Sequence, residues 1–158
     1  MSLSTTNAPP RLRDQTRQRH LVRLEAVAAA LLAALAIWLV AEWWFGIRLQ
    51  APSYDGSGQT SDISALDVVG LALLLSLGAW GFLALLETLT SHARVVWTIV
   101  APVFLVLTLA TPLSGTGVTT ANRIVLVLMH LAVGSVLIVA FCRTSPSTAE
   151  LNELGSHW

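Results

Sequence analysis

The chain has 158 residues, 54% of them hydrophobic and only 11% charged. Soluble domains carry about 25% charged residues, so the composition excludes water as the main solvent of the folded chain. Nine arginines balance nine acids with no lysine, and the single cysteine, Cys142, excludes an intrachain disulfide.

The length suits one compact domain. Residues 1–23 are polar and basic, with Pro9-Pro10 followed by Arg11, Arg13, Arg17, Arg19 and Arg23. They read as a mobile tail on a membrane surface, where arginines meet anionic headgroups. A first apolar span follows at about 26–45. Its run is longer than the core of a signal peptide, so it reads as a retained helix. Ala26, Ala30 and Ala34 recur every fourth residue, a spacing that permits close helix approach in lipid. Trp43 and Trp44 stand where an interfacial aromatic belt is expected.

The longest connection, 46–64, holds Pro52, Asp55-Gly56 and Gly58, all turn formers. It closes on Ser64-Ala65-Leu66-Asp67, the spacing of a capping box that opens the second helix. Asp67 therefore reads as a helix N-terminal carboxylate. The second span covers 68–86, with Gly78 and Gly81 expected at a tight helix contact. Thr88–Arg94 is a short turn, so the second and third helices are expected as antiparallel neighbours. Ser91 is the expected cap of the third. That third span, 95–113, contains Pro102, which removes a hydrogen bond to the Thr98 carbonyl and predicts a kink that the Thr98 hydroxyl partly compensates. After an uncharged loop, the fourth span runs over 124–141 and carries His130. Residues 144–158 form a polar tail with Glu150 and Glu153.

The expected fold is all-α, an integral membrane four-helix bundle in up-down-up-down order, occupying residues 24–143. Arginine placement sets its orientation. Arg11, Arg13, Arg17, Arg19, Arg23, Arg94 and Arg143 fall on one side, Arg48 and Arg123 on the other. The positive-inside rule then puts both termini in the cytoplasm of a bacterial plasma membrane.

Ionisable residues inside a bilayer are costly and are the first places to look for chemistry. Glu87 ends the second helix, where the helix dipole disfavours an anion. It needs a cation; Arg94 across the short turn, Arg23 and Arg143 lie at its level. The expectation is a structural ion pair of Glu87 with Arg94 that locks the hairpin, set against a proton- or ligand-binding carboxylate. His130 lies about 9 Å inside its helix at 1.5 Å per residue. It reads either as an imidazole satisfied by a hydroxyl or a carbonyl, or as a proton acceptor or substrate contact. Glu42, with Asp67, Arg48, Arg123 and His130, concentrates the outer-half charge at one mouth. If these face inwards they line a cleft in which His130 and Glu42 are the acid/base candidates. One histidine is too few for a zinc site and weak support for haem, so neither metal nor cofactor is expected. Cys142 reads as packed and inert, with acylation as the alternative. Phosphate-binding loops, HExxH, CxxC and GxSxG are absent from the sequence. Nothing points to nucleic acid; the expected partners are the lipid bilayer and a second copy through the small-residue faces.

Three features carry a resemblance: the segment Gly78-Ala79-Trp80-Gly81-Phe82-Leu83-Ala84-Leu85-Leu86-Glu87, the Arg94…Trp97 start of the third helix, and Met129-His130-Leu131. With the Ala-rich first helix, they make the chain resemble the small four-helix membrane proteins of actinobacteria known only as a domain of unknown function. The likeness spans about Leu24–Arg143. It implies a four-helix bundle and draws attention to Glu87 and His130, and it implies no activity. Three function classes stay open: a non-enzymatic accessory or packing protein, a membrane enzyme acting on a lipid-like substrate, and a small transporter subunit. The last requires an inward polar stripe from Ser76, Thr98, Thr108 and Ser135.

Overall fold

A computed structural model describes residues 10–52 and 57–144, with side chains described from residue 17 onwards. The Asp55-Gly56 turn, the first nine residues and the polar tail beyond Thr144 lie outside the described residues. Four helices make the architecture: α1 Pro10–Leu39, α2 Ala65–Leu89, α3 Ala93–Ser114 and α4 Thr120–Thr144. A π-helical turn, Val40–Trp44, prolongs α1. Two short strands, β1 Gln50–Ala51 and β2 Ser61–Asp62, pair antiparallel in the long connection. All four helices are long and apolar enough to cross a membrane, and the chain is a multi-pass membrane protein.

Helix α1 begins well before the apolar run. Pro10 fits the first helical position, where no backbone N–H is needed, and the Arg, Gln and Leu residues after it are good helix formers. The segment expected as a tail is therefore helical from Pro10, and it carries Arg23 into the packed interior.

Packing is centred on α1 against α4. Ala26, Ala30 and Ala34 are buried at 6%, 0% and 1% exposure, so the alanine stripe is an internal contact within one chain. At the Arg23 end of the bundle, called the inner end and the opposite one the outer, Ala26 and Ala30 meet Leu83, Trp97, Leu137 and Phe141. Midway, Ala34 meets Val68 and Ala72 of α2. Near the outer end Ala41 and Leu49 meet Val125 and Leu126. Helices α3 and α4 close on one another at Gly134, where an added Cβ would lie 2.6 Å from the Leu105 side chain. Gly78 and Gly81 behave oppositely. A Cβ on either meets nothing within 4 Å, so the helix contact expected there is absent and both open outwards.

Helix α3 runs unbroken through Pro102 and Pro112. The Thr98 hydroxyl donates to the Arg94 carbonyl at 2.7 Å. That bond lies a turn before the position Pro102 vacates. The N-cap of α3 is His92, with no side-chain capping bond, in place of Ser91. The cap of α2 is the expected one: Asp67 N–H donates to Ser64 Oγ while Ser64 N–H donates back to the Asp67 carboxylate.

Candidate functional site

The polar centre of the molecule lies at the inner end and is built on Arg23. Three and seven residues before Ala26 and Ala30 respectively, Arg23 continues the buried stripe of α1. The alanines let α2 and α4 approach closely enough for one guanidinium to reach both. Its Nη1 and Nη2 donate to the two carboxylate oxygens of Glu87, at 3.2 and 2.5 Å. Its Nε donates to Thr144 Oγ1 at 3.2 Å. A planar fork suits this bidentate geometry. Arg23 is 3% exposed, so α1, α2 and α4 are tied together through a group removed from solvent.

The partner of Glu87 is thus Arg23, and the expected pair with Arg94 is corrected. Arg94 is exposed at the start of α3, and the Arg23 pair is the one salt bridge among the described residues. Sequence separation favoured the hairpin partner; the interior-facing stripe of α1 decided against it. Beside this network stands Trp97, buried, with its ring 5.5 Å from that of Phe141. Its indole N–H is a buried donor with no hydrogen-bond partner among the described residues, and an unmade bond of this kind costs about 1–3 kcal/mol.

Depth follows from helix rise. Arg23 and Trp44 are separated by about 30 Å of helix at 1.5 Å per residue, the thickness of a hydrocarbon core. The Arg23 network and the exposed Trp43 and Trp44 thus stand one hydrocarbon thickness apart along α1.

At the outer end the charged residues do not converge. Asp67 is held in the α2 cap. Arg123 donates to the carbonyls of Leu113 and Gly115, at 2.5 and 2.6 Å, and so closes the end of α3. His130 is half-buried, and its Nδ1 lies 2.8 Å from the Leu126 carbonyl. A carbonyl can only accept, so this bond is donated by Nδ1. Glu42 sits on the π-helical turn, half-buried. Neither Glu42 nor Arg48 takes part in a hydrogen bond or ion pair among the described residues. A groove of about 300 Å³ lies between α1 and α4, and its lining includes neither the Glu42 carboxylate nor the His130 ring.

The inner stripe of hydroxyls does not form either. Ser76 is buried, Thr108 half-buried, and Thr98 and Ser135 exposed. Each donates to a carbonyl of its own helix three or four residues back. Among the described residues, no group of three or more His, Cys, Asp or Glu could hold a metal ion.

Two residues without a signal in the sequence shape the outer end. Asn122 is 2% exposed; its side chain accepts from the Gln50 N–H at 3.1 Å and donates to the Gln50 carbonyl at 2.8 Å. The amide thereby acts as one more rung on β1. Trp38 Nε1 donates to the Ile63 carbonyl at 3.2 Å. Together they pin the long connection over the bundle. An asparagine at a helix start reads as a cap, which hides this second role.

The chain belongs to a family described as a family of unknown function, DUF6069, which matches residues 14–147. No curated protein and no solved structure matches it.

Proposed function

We infer that this DUF6069 chain is a non-enzymatic accessory or packing protein of a bacterial plasma membrane, with both termini in the cytoplasm. The reading rests on the Arg23–Glu87–Thr144 network. Its charged groups engage one another and tie three helices, so the chemistry available at the inner end is structural. The hydroxyls of Ser76, Thr98, Thr108 and Ser135, bonded to their own backbones, support the same reading.

The helices leave distinct outer surfaces for a partner. In the apolar window of α3 11% is buried, against 22–28% in the other three helices, so α3 has the barest face. A second copy would meet the open glycines of α2, since the alanine stripe of α1 is already covered. The arginine asymmetry supports the orientation.

The test is a pair of variants purified in mild detergent. Glu87→Gln is expected to lower the midpoint of thermal unfolding markedly, because Arg23 is left buried without its counter-charge. His130→Ala, which removes a bond to its own helix, is expected to lower it slightly. A Glu87→Gln protein that folds with an unchanged midpoint would overturn the structural reading and return Glu87 to proton or ligand binding.

A further inference from the structure

We propose that the inner end of the bundle binds an anionic phospholipid by its headgroup, on unpaired arginines that α1, α3 and α4 bring there. The inference rests on the membrane reading of the four helices and on nothing further in the proposed function. Of the described arginines at this end, Arg23 is engaged by Glu87 and Thr144. Arg17, Arg19, Arg94 and Arg143 take part in no hydrogen bond or ion pair among the described residues. Measured contacts between helices place three of these residues around the end of α4. Arg143 directly precedes Thr144, whose hydroxyl accepts from Arg23 at 3.2 Å. Arg19, half-buried, lies one turn before Arg23 on the same face of α1. Arg94, exposed, lies one turn before Thr98, whose hydroxyl is 3.5 Å from the Sγ of Cys142.

Depth matches lipid phosphates. Arg23 stands one hydrocarbon thickness from Trp44, about 30 Å along α1. Arg19 is four residues further out, about 6 Å at 1.5 Å per residue, which is the headgroup layer. Arg94 stands as far beyond Thr98, and Arg143 is level with the Arg23 network. The charge at this end is positive. Its acids among the described residues are Glu87, neutralised by Arg23, and Glu25, which follows Arg23 by two residues and so lies on the opposite face of α1. A guanidinium presents a fork of N–H donors that fits phosphate oxygens. A zwitterionic headgroup brings its own cation, which the arginines repel, so the excess positive charge selects a headgroup of net negative charge. The outer end has no such excess. There Arg123 is taken up by the Leu113 and Gly115 carbonyls, and Arg48 shares that side with Glu42, Asp62 and Asp67.

The experiment is native mass spectrometry of the full chain in detergent, with phosphatidylglycerol or phosphatidylethanolamine added at equal concentration. Phosphatidylglycerol is expected to be retained at least about fivefold more tightly, the effect of one arginine near an anionic surface. It is also expected to raise the midpoint of thermal unfolding, which phosphatidylethanolamine leaves unchanged. Arg94→Gln/Arg143→Gln removes two exposed side chains without partners among the described residues, so the lipid-free midpoint should stay that of the original chain. Retention of phosphatidylglycerol by this variant should fall about tenfold to thirtyfold, with phosphatidylethanolamine unaffected. Arg19→Gln alone should lower it about fivefold. Arg48→Gln, at the outer end, should change neither lipid. Equal retention of the two lipids by the unaltered chain would overturn the proposal. So would undiminished retention of phosphatidylglycerol by both inner-end variants, or a loss in Arg48→Gln as large as theirs.

Discussion

At the residue scale, the molecule turns on which side chain answers a buried charge. Glu87 announced its need for a cation by its place at a helix end, and three arginines stood at its level. Choosing among them required knowing which face of α1 is internal, and Arg23 shares the face of Ala26 and Ala30. The consequence is an asymmetry in stability. Arg23→Leu leaves the carboxylate uncompensated and is expected to cost about 3–5 kcal/mol. The double variant Arg23→Leu/Glu87→Leu, with no charge left to desolvate, is expected to recover most of that loss. Arg94→Ala, at an exposed site, is expected to change stability by no more than about 0.5 kcal/mol. Reversible unfolding in mixed micelles measures all three. Asn122→Ala removes both bonds to Gln50 and is expected to cost about 1–3 kcal/mol by the same measurement. It should also increase proteolysis within the long connection.

At the element scale, apolar length was fully legible and helix ends were not. The four hydrophobic runs mark the four helices because a bilayer-spanning segment must satisfy its backbone internally. Residues 10–23 carry no such mark. They join α1 because a helix already formed extends at little cost through good helix formers. The capping box at Ser64 and Asp67 was legible because its signal is local. Ser64→Ala is expected to destabilise α2 by about 1 kcal/mol, read as a lower unfolding midpoint. Glycines were misleading for the opposite reason. Their sequence context is alike, yet Gly134 admits the Leu105 side chain whereas Gly78 and Gly81 face outwards. Gly134→Val is accordingly expected to part α3 from α4 and lower the midpoint. Gly78→Ala should raise it or leave it unchanged, with helix propensity worth about 0.5–1 kcal/mol.

At the scale of the whole molecule, the two ends differ in kind. The inner end is closed by a charge network buried among three helices. The outer end is covered by a folded connection that Trp38 and Asn122 hold down. The expected cleft joining Glu42 to His130 was not decidable from sequence, because every charge near an interface has the reach to snorkel. Its separate fates, Asp67 in a cap, Arg123 on carbonyls and His130 on Leu126, come from backbone groups that a one-dimensional reading leaves unplaced.

All of this depends on the helices crossing a bilayer, so that the connection at Gln59 and the turn at Ser91 lie on opposite sides. With Cys142→Ser as background, single cysteines at Gln59 and Ser91 can be labelled in intact cells by a membrane-impermeant maleimide. The account predicts that the cysteine at Gln59 reacts in intact cells and the one at Ser91 only after permeabilisation. Equal labelling of both from the same side of intact cells would contradict it.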